Sequence, residues 1–168
     1  NLAMLARESR AKAREVDVAT LFQRVESVFA ARLSRARIAL NTHFDCDRIT
    51  IPRADEGRLM QAFGNVLMNS IEAMPDGGEI DIRISLAPAG EDIRIVFSDT
   101  GCGIREEDLE KAFVPFFSTR PECAGMGLPI TQSIIEEHGG SVAIAGRDSG
   151  GTDLTVTLPV GRIEDARR

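Results

Sequence analysis

Apolar residues recur at steps of three and four over residues 18–33, at Leu21, Val25, Val28, Phe29 and Leu33, and this spacing predicts an amphipathic helix. A second stripe, Leu59, Phe63, Val66, Ser70 and Met74 with Leu67 beside it, predicts a longer helix over residues 55–73, capped by Asp55 and ended by the turn at residues 75–78. A third, Leu128, Thr131, Ile134, Ile135 and His138, predicts a last helix closed by Gly139 and Gly140. Elsewhere the period is two. Residues 37–44 alternate as a strand, followed by a short segment at 49–51 that Pro52 stops. Ile80, Ile82, Ile84 and Leu86, then Ile93, Ile95 and Phe97, predict a β-hairpin, and residues 141–145 and 152–158 predict two more strands. Leu2, Leu5 and Ala6 are spaced helically before the chain turns polar. That lead-in cannot make a core of its own.

The order lacks the regular βαβα alternation of a doubly wound sheet. The fold class it predicts is α+β: a two-layer sandwich of a mixed, mostly antiparallel sheet with about three helices on one face. Residues 18–160 form the expected domain, with 1–17 as the end of a preceding helix and a linker, and 161–168 as a tail. A formal net charge of -6 argues against a general nucleic-acid binder, and without Trp or Tyr the chain lacks most of the stacking platform that single strands require. No apolar run reaches bilayer length, so no membrane contact is expected of this stretch. Cys46, Cys102 and Cys123 include no C-x-x-C pair, which points away from disulfides and zinc and toward a reducing cytoplasm.

Candidate chemistry lies in three places. The long helix carries a second stripe, Arg58, Gln61, Asn65, Asn69 and Glu72, away from its apolar face. Asparagine is a poor helix former, so two of them one turn apart favour function over solvation; their carbonyl oxygens suit magnesium where phosphates supply the charge. Asp99, with Gly101 and Gly103 after it, is either a turn whose carboxylate bonds nearby amides or an acceptor facing a cleft. Gly125 and Gly127 stand before a helix start, where freed amides and the helix dipole attract anions. No P-loop or G-x-G-x-x-G fingerprint is present.

In this order, the segments resemble the catalytic domain of two-component histidine kinases, in the superfamily that also holds gyrase B and MutL. GRLMQAFGNVLMNSIEAM resembles the N box, DTGCGI the first glycine box, KAFVPFFSTR the phenylalanine box and GMGLPIT the second glycine box. EEHGGSVAIA and GGTDLTVTLP resemble the closing helix and strands, and NSIEAMPDGG with a short lid points to the nitrogen- and oxygen-sensor kinases. The resemblance implies a Bergerat-type ATP-binding fold with ATP and Mg2+ as cofactors. Asn69, with Asn65, would hold the metal; Asp99 would read the adenine amine, in a pocket shaped by Gly101, Gly103, Ile104, Phe117, Leu128 and Thr152. Gly125 and Gly127 would approach the triphosphate beneath a lid at residues 113–124, and Arg120 would contact phosphate where relatives often have Lys. Asn65 and Arg120 are then the residues at the reacting end.

In the gyrase and MutL branch a Glu one turn before the metal-binding Asn activates water; Asn65, which stands there, cannot act as that base. Transfer to a side chain is therefore implied. The acceptor histidine would sit on an upstream dimerisation domain, because His43 precedes Phe44 and His138 precedes Gly139 instead of an acid. Relay to a response regulator's receiver domain would follow, and the present stretch alone is expected to be monomeric. A hydrolytic clamp and an anti-sigma-type serine kinase are rivals within the superfamily. A nucleotide-free interaction module is a third, but it would need no intact pocket.

Overall fold

The computed structural model describes residues 13–45, 48–119 and 124–160. Along the chain run β1 (Arg14–Asp17), α1 (Val18–Ala36), β2 (Ile38–Phe44), β3 (Thr50–Ala54), α2 (Glu56–Glu72), β4 (Gly78–Leu86), β5 (Asp92–Asp99), α3 (Glu106–Leu109), α4 (Gly127–Glu137), β6 (Ser141–Gly146) and β7 (Thr152–Pro159). Five strands make one sheet in the order β2-β4-β5-β7-β6. Only β2 and β4 pair in parallel, because the chain between them crosses over through α2; the other pairs are antiparallel.

Alternation makes this sheet one-sided. Ile80, Ile82, Ile84, Ile93, Ile95, Leu154, Val156 and Leu158 are buried, while Arg83 and Arg94 between them are exposed. The buried face meets α1, α2 and α4 in one apolar cluster. At its centre Phe22 of α1, Phe63 of α2 and Phe97 of β5 lie with ring centroids 5.1, 5.7 and 6.1 Å apart. Truncating such a ring costs about 3–5 kcal/mol. Asp17 caps α1 by accepting from the Thr20 amide at 2.9 Å. That hydrogen bond, opposed by partial burial and aided by Arg48, holds the Asp17 carboxyl below its ordinary range. No helix among the described residues is long and apolar enough to cross a membrane.

Four details depart from the sequence pattern. Residues 14–17, expected in the linker, form β1, which pairs with β3 in a separate two-stranded sheet and buries Val16 and Ile51. Pro52 does not stop β3: the register skips there, from Ile51 to Ala54, and a residue without an N–H fits such an irregularity. Val28 is 67% exposed, since α1 turns Phe29 toward α2, where a Cβ on Gly64 would stand 3.3 Å from the Phe29 ring. The single-turn helix α3 was not expected; Arg105, just before it, donates from Nε to the buried Asp108 carboxylate at 2.8 Å, which raises the Arg105 pKa.

Candidate functional site

A cavity of about 370 Å3 opens between α2, the end of β5, the start of β7 and the segments on either side of residues 120–123. Asn65, Asn69, Asp99, Gly103, Ile104, Phe117, Gly125, Gly127, Leu128 and Thr152 all line it. Gly101 stands behind the wall and acts through Asp99. Arg120 and Cys123 lie outside the described residues.

Asp99 is 5% exposed at the end of β5. Its Oδ1 accepts from the Gly101 amide at 2.9 Å and from the Thr152 amide at 3.2 Å, while Oδ2 accepts from Ser70 Oγ at 3.0 Å. Both readings of this aspartate are thus combined: it bonds its own turn, and it also faces the cavity. A carboxylate has about four lone-pair positions. Among the described residues three are used, which leaves one on Oδ2 of a side chain that lines the cavity. Gly101 must be glycine, because a Cβ would meet Ala73 Cβ at 2.7 Å. Phe97, Ile144 and Leu154 add apolar wall beside this acceptor, a combination suited to a flat heterocycle with an exocyclic amine.

Three contributors to this end were missed in the sequence. Ser70 was counted in the apolar stripe, where its hydroxyl was the available signal. Gly151 lies so close that a Cβ would sit 1.9 Å from the Asp99 carbonyl oxygen; the Gly150-Gly151 pair was its signal. Arg147, which donates to that carbonyl at 2.9 Å, carries no local signal.

At the opposite end α2 and α4 are fastened together. Thr131 Oγ1 donates to Ala62 O at 3.2 Å or Gly127 O at 2.9 Å, and Asn65 Nδ2 donates to Gly127 O at 3.3 Å. A Cβ on Gly127 would lie 3.5 Å from Asn69 Oδ1, so the first turn of α4 rests on both asparagines. The polar stripe divides by role. Asn65 and Asn69 face the cavity, whereas Arg58 Nη2 donates to both carboxylate oxygens of Glu137 in α4 at 2.8 Å. His138 completes the clamp, its Nδ1–H reaching Ile134 O at 2.7 Å and its Nε2 accepting from the Asp55 amide at 3.0 Å. With both ring nitrogens engaged, His138 is the helix-end capping residue that the sequence suggested.

The covering segment is held more lightly. Phe116 is 79% exposed with φ of 67°, and its amide donates to Gly125 O at 3.0 Å. Gly125, at φ 66°, passes so near that a Cβ would stand 2.4 Å from Phe117 O. Lys111 Nζ lies 5.8 Å from the Phe117 ring centroid.

Residues 54–162 match the family described as histidine kinase-, DNA gyrase B-, and HSP90-like ATPase. The sensor histidine kinase ZraS of Escherichia coli (strain K12) is 36% identical over 113 residues, covering 66% of this chain and 24% of ZraS. The chain therefore spans about a quarter of that relative's length. The nucleotide-free catalytic domain of histidine kinase ThkA superposes with a TM-score of 0.78 at 29% identity, covering 88% of this chain and 95% of that one. ThkA is also similar in its complex with the response regulator TrrA, at TM-score 0.74 and 28% identity over 89% of this chain and 42% of that one. Full-length ShkA in complex with AMPPNP gives 0.78 at 26% identity, covering 89% and 31%. A cavity in an α+β sandwich, the four motifs around it and these likenesses converge: the chain belongs to the histidine kinase-, DNA gyrase B-, and HSP90-like ATPase family, with the fold of a histidine kinase catalytic domain.

Proposed function

We propose that this domain binds magnesium-ATP and transfers the γ-phosphoryl group to a histidine on a helical dimerisation domain, for relay to an aspartate of a response regulator in the cytoplasm. The observation that carries this reading is one cavity with two differently equipped ends: a buried carboxylate with an open acceptor position, and two asparagines beneath the N-terminus of α4. Asp99 accepts from the adenine amine. The α4 amides and Gly125 take the phosphates, whose charge the helix dipole favours.

Magnesium fits what the side chains offer. Among the described residues no group of three or more His, Cys, Asp or Glu could hold a metal. Carbonyl oxygens of Asn69 and Asn65 would instead complete a shell that phosphates dominate, the usual arrangement for this ion. Bound there, magnesium would neutralise phosphate charge. Asn65 brings no general base to activate water, so the site works by positioning and charge neutralisation, with Arg120 proposed on the phosphates. The ThkA–TrrA complex supports a receiver-domain partner, and AMPPNP in ShkA supports an adenine nucleotide.

Neither histidine of this chain is the acceptor. His138 is bonded at both nitrogens, and His43 does not line the cavity, although Asp81 lies 3.8 Å from its Nε2 in space. Calorimetry should show binding of magnesium-ATP, AMPPNP and ADP; no binding up to millimolar nucleotide would end the reading. With labelled ATP the chain should acquire no acid-labile, alkali-stable phosphate by itself. A histidine-bearing dimerisation domain supplied alongside should acquire it. Label on His43 or His138 would refute the transfer proposed.

A further inference from the structure

Asp99 is the last residue of β5, and the register pairing β5 with β7 ends one residue before it, at Ser98 and Asp153. On its other side Asp99 still pairs with Ile80 of β4, while on the β7 side its neighbours come from the turn between β6 and β7. Gly151 packs against the Asp99 carbonyl more closely than any side-chain-bearing residue could. Into the same corner Arg147 sends its guanidinium, with Nη1 donating to Asp99 O at 2.9 Å and Nε standing 3.5 Å from Asp153 Oδ1. That Asp153 oxygen is buried and has no hydrogen bond among the described residues, where the guanidinium is the cation set against it. Arg147 is itself anchored. Its amide donates to Gly151 O at 3.1 Å, its carbonyl accepts from the Gly150 amide at 3.0 Å, and its side chain is only 30% exposed.

We infer that Arg147 is a positioning residue for nucleotide recognition: it fixes the main chain of Asp99 so that the carboxylate keeps the direction that a purine's exocyclic amine requires. This rests on the reading of Asp99 as the adenine acceptor. The carboxylate is steered by the Gly101 and Thr152 amides and by Ser70, which come from three places in the chain. Those bonds set where the side-chain oxygens lie only while the peptide that carries them is still. A charged donor on its carbonyl is a stronger restraint than a neutral one. The planar fork of arginine can meet the carbonyl and Asp153 together, which a lysine ammonium on a flexible stem cannot do as well. If Arg147 served only to balance the Asp153 charge, its loss would bear on stability and not on the choice between ligands.

The test separates the two by changing the ligand as well as the protein. Affinities of the whole 168-residue chain are measured for magnesium-ATP and for the magnesium triphosphate of unsubstituted purine riboside, which lacks the 6-amine. The parent should prefer ATP. Arg147→Met should lower ATP affinity about tenfold, the scale of one hydrogen bond involving a charged group, and leave the analogue's affinity in place. The ratio between the two ligands then falls, and Arg147→Lys should restore part of it. A general loosening would weaken both ligands together.

An unchanged ratio in Arg147→Met overturns the inference while leaving Asp99 as the acceptor. A parent that does not prefer ATP over the analogue overturns the role of Asp99 itself, and the inference with it. Should Arg147→Met fail to fold by circular dichroism, Arg147→Lys decides alone. A ratio below the parent's supports the positioning role, and a ratio equal to the parent's refutes it.

Discussion

Asp99 at one end of the cavity is 5% exposed, and its carboxylate accepts from the Gly101 and Thr152 amides and the Ser70 hydroxyl. Phe116, in the segment covering the other end, is 79% exposed, and its amide reaches only as far as Gly125 within the same cover. The first is built into the sheet; the second is laid over it. A donor–acceptor match to a base loses its value with a shift of a fraction of an ångström, so its protein half has to be held from several directions. Phosphates are recognised by amides and charge over a broader range of positions. A buried, multiply bonded region and an exposed, sparsely bonded one therefore match the two halves of the proposed ligand.

The sharpest way to break this contrast is Gly151→Ala. A Cβ 1.9 Å from the Asp99 carbonyl, on a backbone with φ of 92°, has to displace the end of β5. Urea unfolding should show a loss of about 2–4 kcal/mol, and ATP binding should vanish from calorimetry. Parent-like affinity would mean that the base end is not rigid. Asp99→Asn comes next. It keeps the shape but can turn an acceptor into a donor, so ATP affinity should fall about 10- to 100-fold, as for a lost charged hydrogen bond, with the melting temperature nearly kept. Parent-like binding would reduce Asp99 to a turn residue.

Asn69→Ala probes the junction between the two regions. The fold should remain, since Asn69 lies off the apolar stripe, while the gain in ATP affinity on adding magnesium should disappear in titrations with and without EDTA. If the magnesium dependence persists, the asparagine belongs to α4 packing alone. The smallest effect is expected in the cover. Phe116→Gly removes an exposed ring and relieves a left-handed backbone, so unfolding free energy should stay within about 0.5–1 kcal/mol of the parent. A larger loss would show the cover to be as tightly built as the base end.

Legibility in the sequence followed the same division. Stripes such as Leu59, Phe63 and Val66, and alternations such as Ile80, Ile82 and Ile84, reveal elements because a repeated period reports a buried face. The four-residue elements β1 and α3 are too short to display one. Motif glycines and asparagines marked part of the cavity wall. The Asp99 neighbours Ser70 and Arg147 were hidden, since their meaning arises only when α2, β5 and the β6–β7 turn converge. Val28 is the converse case: its spacing fits the stripe, yet the helix presents Phe29 to α2 instead.

The lone parallel pair in the sheet has a consequence in time. β4 with β5 and β6 with β7 are antiparallel neighbours along the chain, so each can zip up from its own turn soon after collapse. β2 has no such shortcut: it must wait until β3 and α2 have been laid down between it and β4. In refolding followed by pulsed deuterium labelling, amides across the β4–β5 ladder should be shielded first and those of β2 last, so that nucleotide-ready chains emerge while one margin of the sheet is still being sewn on.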